Sequence, residues 1–117
     1  MTAASPPEVP AVDPAEARRR LDAGAVLLDV REPDEWDAGH AREATWIPMG
    51  QLAARQAELP TDRPIVVVCR GGGRSARVAA ALLGAGYDAT NLAGGLQAWA
   101  SAGLPLITDD GGTGTVA

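Results

Sequence analysis

Apolar residues fall along this chain in short runs, separated by polar stretches that carry glycine and proline. Ala25-Val26-Leu27-Leu28-Asp29-Val30 and Ile65-Val66-Val67-Val68 are apolar without alternation, which predicts strands buried on both faces. The second is β-branched throughout and ends at Cys69. Thr45-Trp46-Ile47, stopped by Pro48, and Ala89-Thr90-Asn91-Leu92 predict two more short strands, and Val9 to Val12 an edge strand. A helix is predicted from Asp13 to Ala23: Asp13 can accept from the first-turn amides, Pro14 suits the first helical position, and Glu16 completes a capping box. Ala17 and Leu21 mark its inner face and Gly24 its stop. Further helices are predicted over Gly50 to Leu59, Arg74 to Leu83 and Leu96 to Ala102, while Arg31 to Gly39 reads as a loop with a single turn of helix. Ser75 is expected to cap the helix that follows Cys69. Strands and helices alternate, so the fold class is α/β, with a mainly parallel sheet, right-handed crossovers and helices on both faces.

The chain has 117 residues, 46% of them hydrophobic, which suffices for one compact domain. Aromatics are only 3%, so the core is expected to be aliphatic. The expected division is a flexible N-terminus over 1–8, a domain over 9–107 and a disordered tail over 108–117, where little remains to bury. No stretch approaches the ~20 apolar residues that span a bilayer. Met1 to Pro10 lacks the basic start and apolar core of a signal peptide, so a cytoplasmic location is expected. Net charge is −5, and the basic residues, all arginine, form no stripe suited to duplex binding, which argues against nucleic acid as a partner. The short chain and the lack of a spare apolar stripe favour a monomer.

A single cysteine cannot form an internal disulfide or build a thiolate metal site alone, so it is either a small buried hydrophobe or a reactive thiol. Its neighbours decide. Cys69-Arg70-Gly71-Gly72-Gly73-Arg74-Ser75 lies between a buried parallel strand and a helix, at the strand end where open α/β sheets bind ligands. A loop opening into a helix aims backbone amides at one point, and the helix N-terminus adds partial positive charge. Such a cradle favours thiolate over thiol. The glycines leave no side chain between amides and a bound anion, and Arg70 and Arg74 add fixed charge. The loop lacks the lysine of a P-loop and the spacing of a dinucleotide fingerprint.

Cys-Arg-Gly-Gly-Gly-Arg-Ser resembles the active-site loop of the rhodanese family. Leu27-Leu28-Asp29-Val30-Arg31-Glu32 with Glu35-Trp36 and Gly39-His40 is similar to the family's first signature, and Ile47-Pro48 to the end of the next strand. Asn91-Leu92-Ala93-Gly94-Gly95 with Ala98-Trp99 and Gly103-Leu104-Pro105 is similar to its C-terminal signature. The resemblance runs in order from Val9 to Leu106 and departs at Glu43-Ala44 and Trp46, outside the loop. It implies a three-layer rhodanese-like fold and a thiosulfate sulfurtransferase that needs no cofactor or metal. Cys69 would hold a persulfide, the amides of Arg70 to Ser75 would cradle it, and Arg70 and Arg74 would orient a small anionic donor such as thiosulfate. Cyanide, a thiol or a partner protein would take the sulfur. Asp29 is expected to bond loop amides and Arg31 to pair with Glu32 or Glu35, both as supports, the alternative for Arg31 being that it faces the mouth of the site. His40, Trp36, Trp46 and Trp99 are read as hydrogen-bonding and packing residues. Two rivals remain: a dual-specificity phosphatase, disfavoured by one residue too few between Cys69 and Arg74, and a non-catalytic binding module, disfavoured by the retained cysteine.

Overall fold

A computed structural model describes residues 9–117; the N-terminal stretch 1–8, expected to be flexible, lies outside the described residues. Five parallel strands form one sheet: β1 (Ala11–Val12), β2 (Val26–Asp29), β3 (Thr45–Trp46), β4 (Ile65–Val68) and β5 (Ala89–Leu92). Their spatial order is β1-β5-β4-β2-β3, which places the most β-branched strand at the centre. Around the sheet pack α1 (Pro14–Asp22), α2 (Pro33–Ala38), α3 (Leu52–Arg55), α4 (Gly73–Gly84) and α5 (Gly95–Ser101). Among the described residues no helix is long and apolar enough to cross a membrane.

Side chains alternate across the central strands, so the sheet has two separate cores. Ile65, Val67 and Cys69 face one layer with Leu52, Val78 and Leu82, which come from α3 and α4. Val66 and Val68 face the other with Ala17, Leu96 and Trp99, from α1 and α5. All four β4 side chains have zero exposure, each burial contributing roughly 1.5–3 kcal/mol. The same alternation decides where the chemistry lies, because it aims Cys69 at the layer where α4 begins.

Helix α1 starts as its sequence predicts, with Asp13 accepting from the Glu16 amide at 2.8 Å. The Glu16 carboxylate does not close the box; it pairs with Arg19 and Arg20 instead. Two further expectations are corrected. Arg31 to Gly39 holds a true helix, α2, started by a reciprocal capping box between Glu32 and Glu35. The helix expected over Gly50 to Leu59 is broken into 3-10 turns at Met49–Gln51 and Gln56–Glu58 around the four residues of α3. Tyr87 Oη donates to the Gln56 carbonyl at 3.1 Å, taking an acceptor that a continuous helix would use, and Leu59 turns extended to lead toward β4.

The stretch 108–117, expected to be disordered, folds back on the domain. Ile107 pairs antiparallel with both His40 and Thr113, and the Thr115 amide donates to the Ala38 carbonyl at 2.9 Å. Asp110 accepts from the Thr108 hydroxyl and the Gly112 amide, closing a turn that a polar sequence can make without a core. His40 Nε2 lies 2.8 Å from Asp109 Oδ1, and Val116 packs on the α1/α5 core.

Candidate active site

Cys69 follows the last residue of β4, and α4 begins four residues later at Gly73. The turn between them depends on Gly72, whose φ of +105° lies in the left-handed region that glycine occupies without strain. Gly72 is also the N-cap of α4, and it has no side chain with which to cap. The amides of the helix's first turn have no carbonyl one turn back, so they need another acceptor. The sulfur supplies it. Cys69 Sγ accepts from the Gly72 amide at 3.1 Å and the Ser75 amide at 3.4 Å, and the Ser75 hydroxyl lies 3.2 Å from it.

Helix α5 holds this loop from behind. The Leu96 amide donates to the Cys69 carbonyl at 2.8 Å and the Gln97 amide to the Arg70 carbonyl at 3.1 Å. Drawing both carbonyls toward α5 leaves the amides of the loop on the side of the sulfur. The approach is close: a Cβ on Gly95 would lie 2.5 Å from the carbonyl oxygens of Cys69 and Arg70, and Gly95 has φ +61°. The tandem glycine after β5 is therefore part of the site, and it was visible in the sequence only as a piece of a signature.

Burial pushes the Cys69 thiol up, but the Ser75 hydroxyl and the amides of Ser75, Gly72 and Gly71 outweigh it and hold the thiol below its ordinary range. The side chain is 1% exposed, so a reactant must come through the mouth of the loop.

The arginines are placed differently from expectation. Arg74 makes a two-pronged pair with Glu35, Nη1 to Oε1 at 2.6 Å and Nη2 to Oε2 at 2.7 Å. Its guanidinium drives the Glu35 carboxyl down to about 2, with the Glu32 amide assisting against partial burial. Arg70 is exposed, and its Nε donates to the Ala117 carbonyl at 2.6 Å. Ser75, expected as a helix cap, instead bonds Cys69 and Asn91, its hydroxyl donating to Asn91 Oδ1 at 2.6 Å. It sits inside the first turn of α4, where only inward contacts are open to it.

Asp29 and Arg31 form a support, with a correction to the pairing. Arg31 meets Asp29, not Glu32 or the Glu35 side chain: Nη2 lies 2.9 Å and Nε 3.1 Å from Oδ2, and the Arg31 amide is 3.1 Å from Oδ1. The remaining guanidinium protons go to the carbonyls of Glu35 and Gly39 at 3.1 and 2.8 Å. Both side chains are almost wholly inaccessible, so the ion pair is tolerated because its hydrogen bonds are complete. Arg31 holds α2 by a carbonyl within it, that of Glu35, and by the one that closes it, that of Gly39, and α2 carries Glu35 to Arg74. The two departures from the family pattern are structural. Glu43 accepts two bonds from Arg18, and Trp46 stacks on Trp36 at 5.1 Å while donating to the Arg31 carbonyl. His40 stacks on the other neighbour of that set, 3.6 Å from Trp36, and does not contact the sulfur. Among the described residues no cluster of acidic, histidine and cysteine side chains is placed to hold a metal ion.

Comparison with known proteins agrees with this geometry. The profile of the rhodanese-like domain matches residues 13–102. A sulfurtransferase of Allochromatium vinosum is 40% identical over 97 residues, covering 81% of this chain and 91% of that protein. The probable adenylyltransferase/sulfurtransferase MoeZ of Mycobacterium tuberculosis is 44% identical over 94 residues, covering 76% of this chain but only 24% of its own length. Among solved structures, a rhodanese-related protein from Thermoplasma volcanium superposes with a TM-score of 0.81 at 29% identity, over 86% of this chain and 99% of that one.

Proposed function

Since the chain belongs to the rhodanese-like domain family, whose relatives include sulfurtransferases, we propose that it transfers a sulfane sulfur from thiosulfate or a persulfide donor by way of a persulfide on Cys69. The observation that carries this reading is the sulfur itself, seated at the head of α4 as the acceptor of two amides with the Ser75 hydroxyl beside it. Those donors favour an anion where the nucleophile must be one.

The reaction follows from the charges. A lone pair on Cys69 Sγ attacks the outer sulfur of thiosulfate, and the sulfur–sulfur bond of the donor breaks with its electron pair leaving on sulfite. No proton moves, which fits a site with no acid–base side chain against the sulfur. The negative charge then rests on the outer sulfur of the persulfide, where the amides of Arg70, Gly71, Gly72, Gly73, Arg74 and Ser75 serve as an oxyanion hole serves. A thiol, a partner protein or cyanide attacks that sulfur and returns the thiolate. With one cysteine in the chain, discharge needs an outside acceptor. Arg70, exposed at the mouth, is the cation left to attract a dianion, since Arg74 is already matched by Glu35. We place this activity in the cytoplasm and in a monomer, acting on small anions and not on nucleic acid or membrane.

The test is an intact mass after incubation with thiosulfate. The expected result is a gain of one sulfur atom, removed by cyanide and absent from Cys69→Ala. No gain in folded, reduced protein overturns thiosulfate as donor, and the same experiment with an alkyl persulfide decides whether Cys69 carries sulfur at all.

A further inference from the structure

We propose that Asn91 is a positioning residue that disfavours charge on the resting sulfur of Cys69 and so tilts the protein toward its sulfur-loaded form. The second half of this statement rests on the persulfide reading above; the first does not.

Asn91 lies on β5 and is buried. Its Nδ2 donates to the Gly72 carbonyl at 3.2 Å, and its Oδ1 lies 2.6 Å from Ser75 Oγ. A carbonyl can only accept, so the Gly72 oxygen fixes which end of the amide is nitrogen and turns Oδ1 toward Ser75. Oδ1 also can only accept. The Ser75 hydroxyl is thus the donor in that contact, and it has one proton to give.

The same hydroxyl stands 3.2 Å from Cys69 Sγ. While the cysteine is a thiol there is no conflict: S–H donates to Ser75 Oγ, and the hydroxyl donates to Asn91. Once the cysteine ionises, sulfur and Oδ1 compete for one proton. If Oδ1 loses it is a buried acceptor without that donor, and if the sulfur loses its charge is left to two amides; either is costly in a site closed to water. Asn91 therefore works against the thiolate, while the Gly72 and Ser75 amides work for it. Sulfur transfer ends the competition. The new bond makes Sγ an uncharged divalent sulfur, a weak acceptor, and moves the negative charge to the outer sulfur. The hydroxyl then serves Asn91 fully. The penalty falls on the empty state and is absent from the loaded one.

The decisive measurement is the pH dependence of iodoacetamide alkylation of Cys69, which uses no sulfur donor and so does not depend on the function. Four proteins are compared: the parent, Asn91→Ala, Ser75→Ala and the double variant. Asn91→Ala is expected to lower the midpoint by about half to one pH unit in the parent and to leave it unmoved in Ser75→Ala. A midpoint that stays put or rises in Asn91→Ala overturns the proposal. So does a shift of equal size in both backgrounds, because that would be a loop deformed through Gly72. Asn91→Leu, which keeps the volume, carries the same expectations if the alanine variant folds poorly by circular dichroism. In mixtures of thiosulfate and sulfite at a pH above the alkylation midpoints, where the free protein is thiolate, the ratio of loaded to free protein by intact mass is expected to fall about three- to tenfold in Asn91→Ala, matching the midpoint shift. An unchanged ratio with a shifted midpoint removes the claim about loading. A parent that never loads refutes thiosulfate transfer while the alkylation profiles still judge Asn91.

Discussion

Arg74 and Glu35 meet as two forks near the mouth of the loop, and the pair answers to pH in a direction that can be worked out. The Glu35 carboxyl is held at about 2 in the folded protein, well below its ordinary value of 4.5. The fold therefore prefers the carboxylate, and the stabilisation is complete above the ordinary carboxyl range. It drains away as pH falls from about 4.5 toward 2. Glu35→Gln keeps an acceptor for Arg74 and for the Glu32 amide but has no charge to lose. Its stability deficit against the parent is expected at pH 7 and should shrink progressively below pH 4.5, as read from denaturant midpoints at several pH values. A deficit of constant size would mean that packing of α2, not the ion pair, carries the effect. At this scale the sequence names Cys69 and its loop, because strand, cysteine, glycines and helix start lie together. It does not reveal that Glu35 claims Arg74 or that Asn91 claims Ser75, since those partners lie 39 and 16 positions apart and only the fold joins them.

Among the elements, β4 and β5 were legible to the residue: β4 is an unbroken β-branched run of four, and β5 is a short stretch fenced by Gly86 before it and Gly94 after it. The helices were legible in place but less so in extent. α3 is cut short by the Tyr87 contact, and α2 forms because Glu32 and Glu35 cap each other, a local signal present in the sequence but overlooked beside its polarity. The most consequential junction is that of α5 with the loop. Gly95→Ala would place a methyl group 2.5 Å from two carbonyl oxygens in a left-handed backbone, so either α5 or the loop must give way. The expected result is a loss of stability of about 2–4 kcal/mol together with slower alkylation of Cys69 at neutral pH. Normal alkylation in a destabilised protein would show that α5 supports the fold without shaping the cradle.

For the whole molecule, the sheet separates two cores, and the tail 107–117 closes the lower rim of one of them. It touches His40, Ala38 and the α1/α5 core, and among the described residues its hydrogen bond to the loop comes from Arg70. Deleting residues 108–117 is accordingly expected to cost about 1–3 kcal/mol of stability, the worth of a few hydrogen bonds and some apolar contact. The alkylation rate of Cys69 is expected to stay within about twofold, because the donors to its sulfur come from α4. A large fall in that rate would make the tail part of the site. Its order escaped the sequence because a turn built from Thr108, Asp110 and Gly112 needs no apolar run to announce it.

The order in which the chain supplies the parts of the site has its own consequence. Cys69 and the head of α4 come first; the Leu96 and Gln97 amides that turn the loop's carbonyls come later. A chain that has reached α4 but not yet received β5 and α5 carries the sulfur without the arrangement that makes it an anion. Its thiol is expected to be nearer an ordinary one, slower toward electrophiles and oxidants alike. Full reactivity of the thiol is thus expected only with the closing element, so that during synthesis or after partial unfolding the same incompleteness that leaves the protein vulnerable also quiets its cysteine.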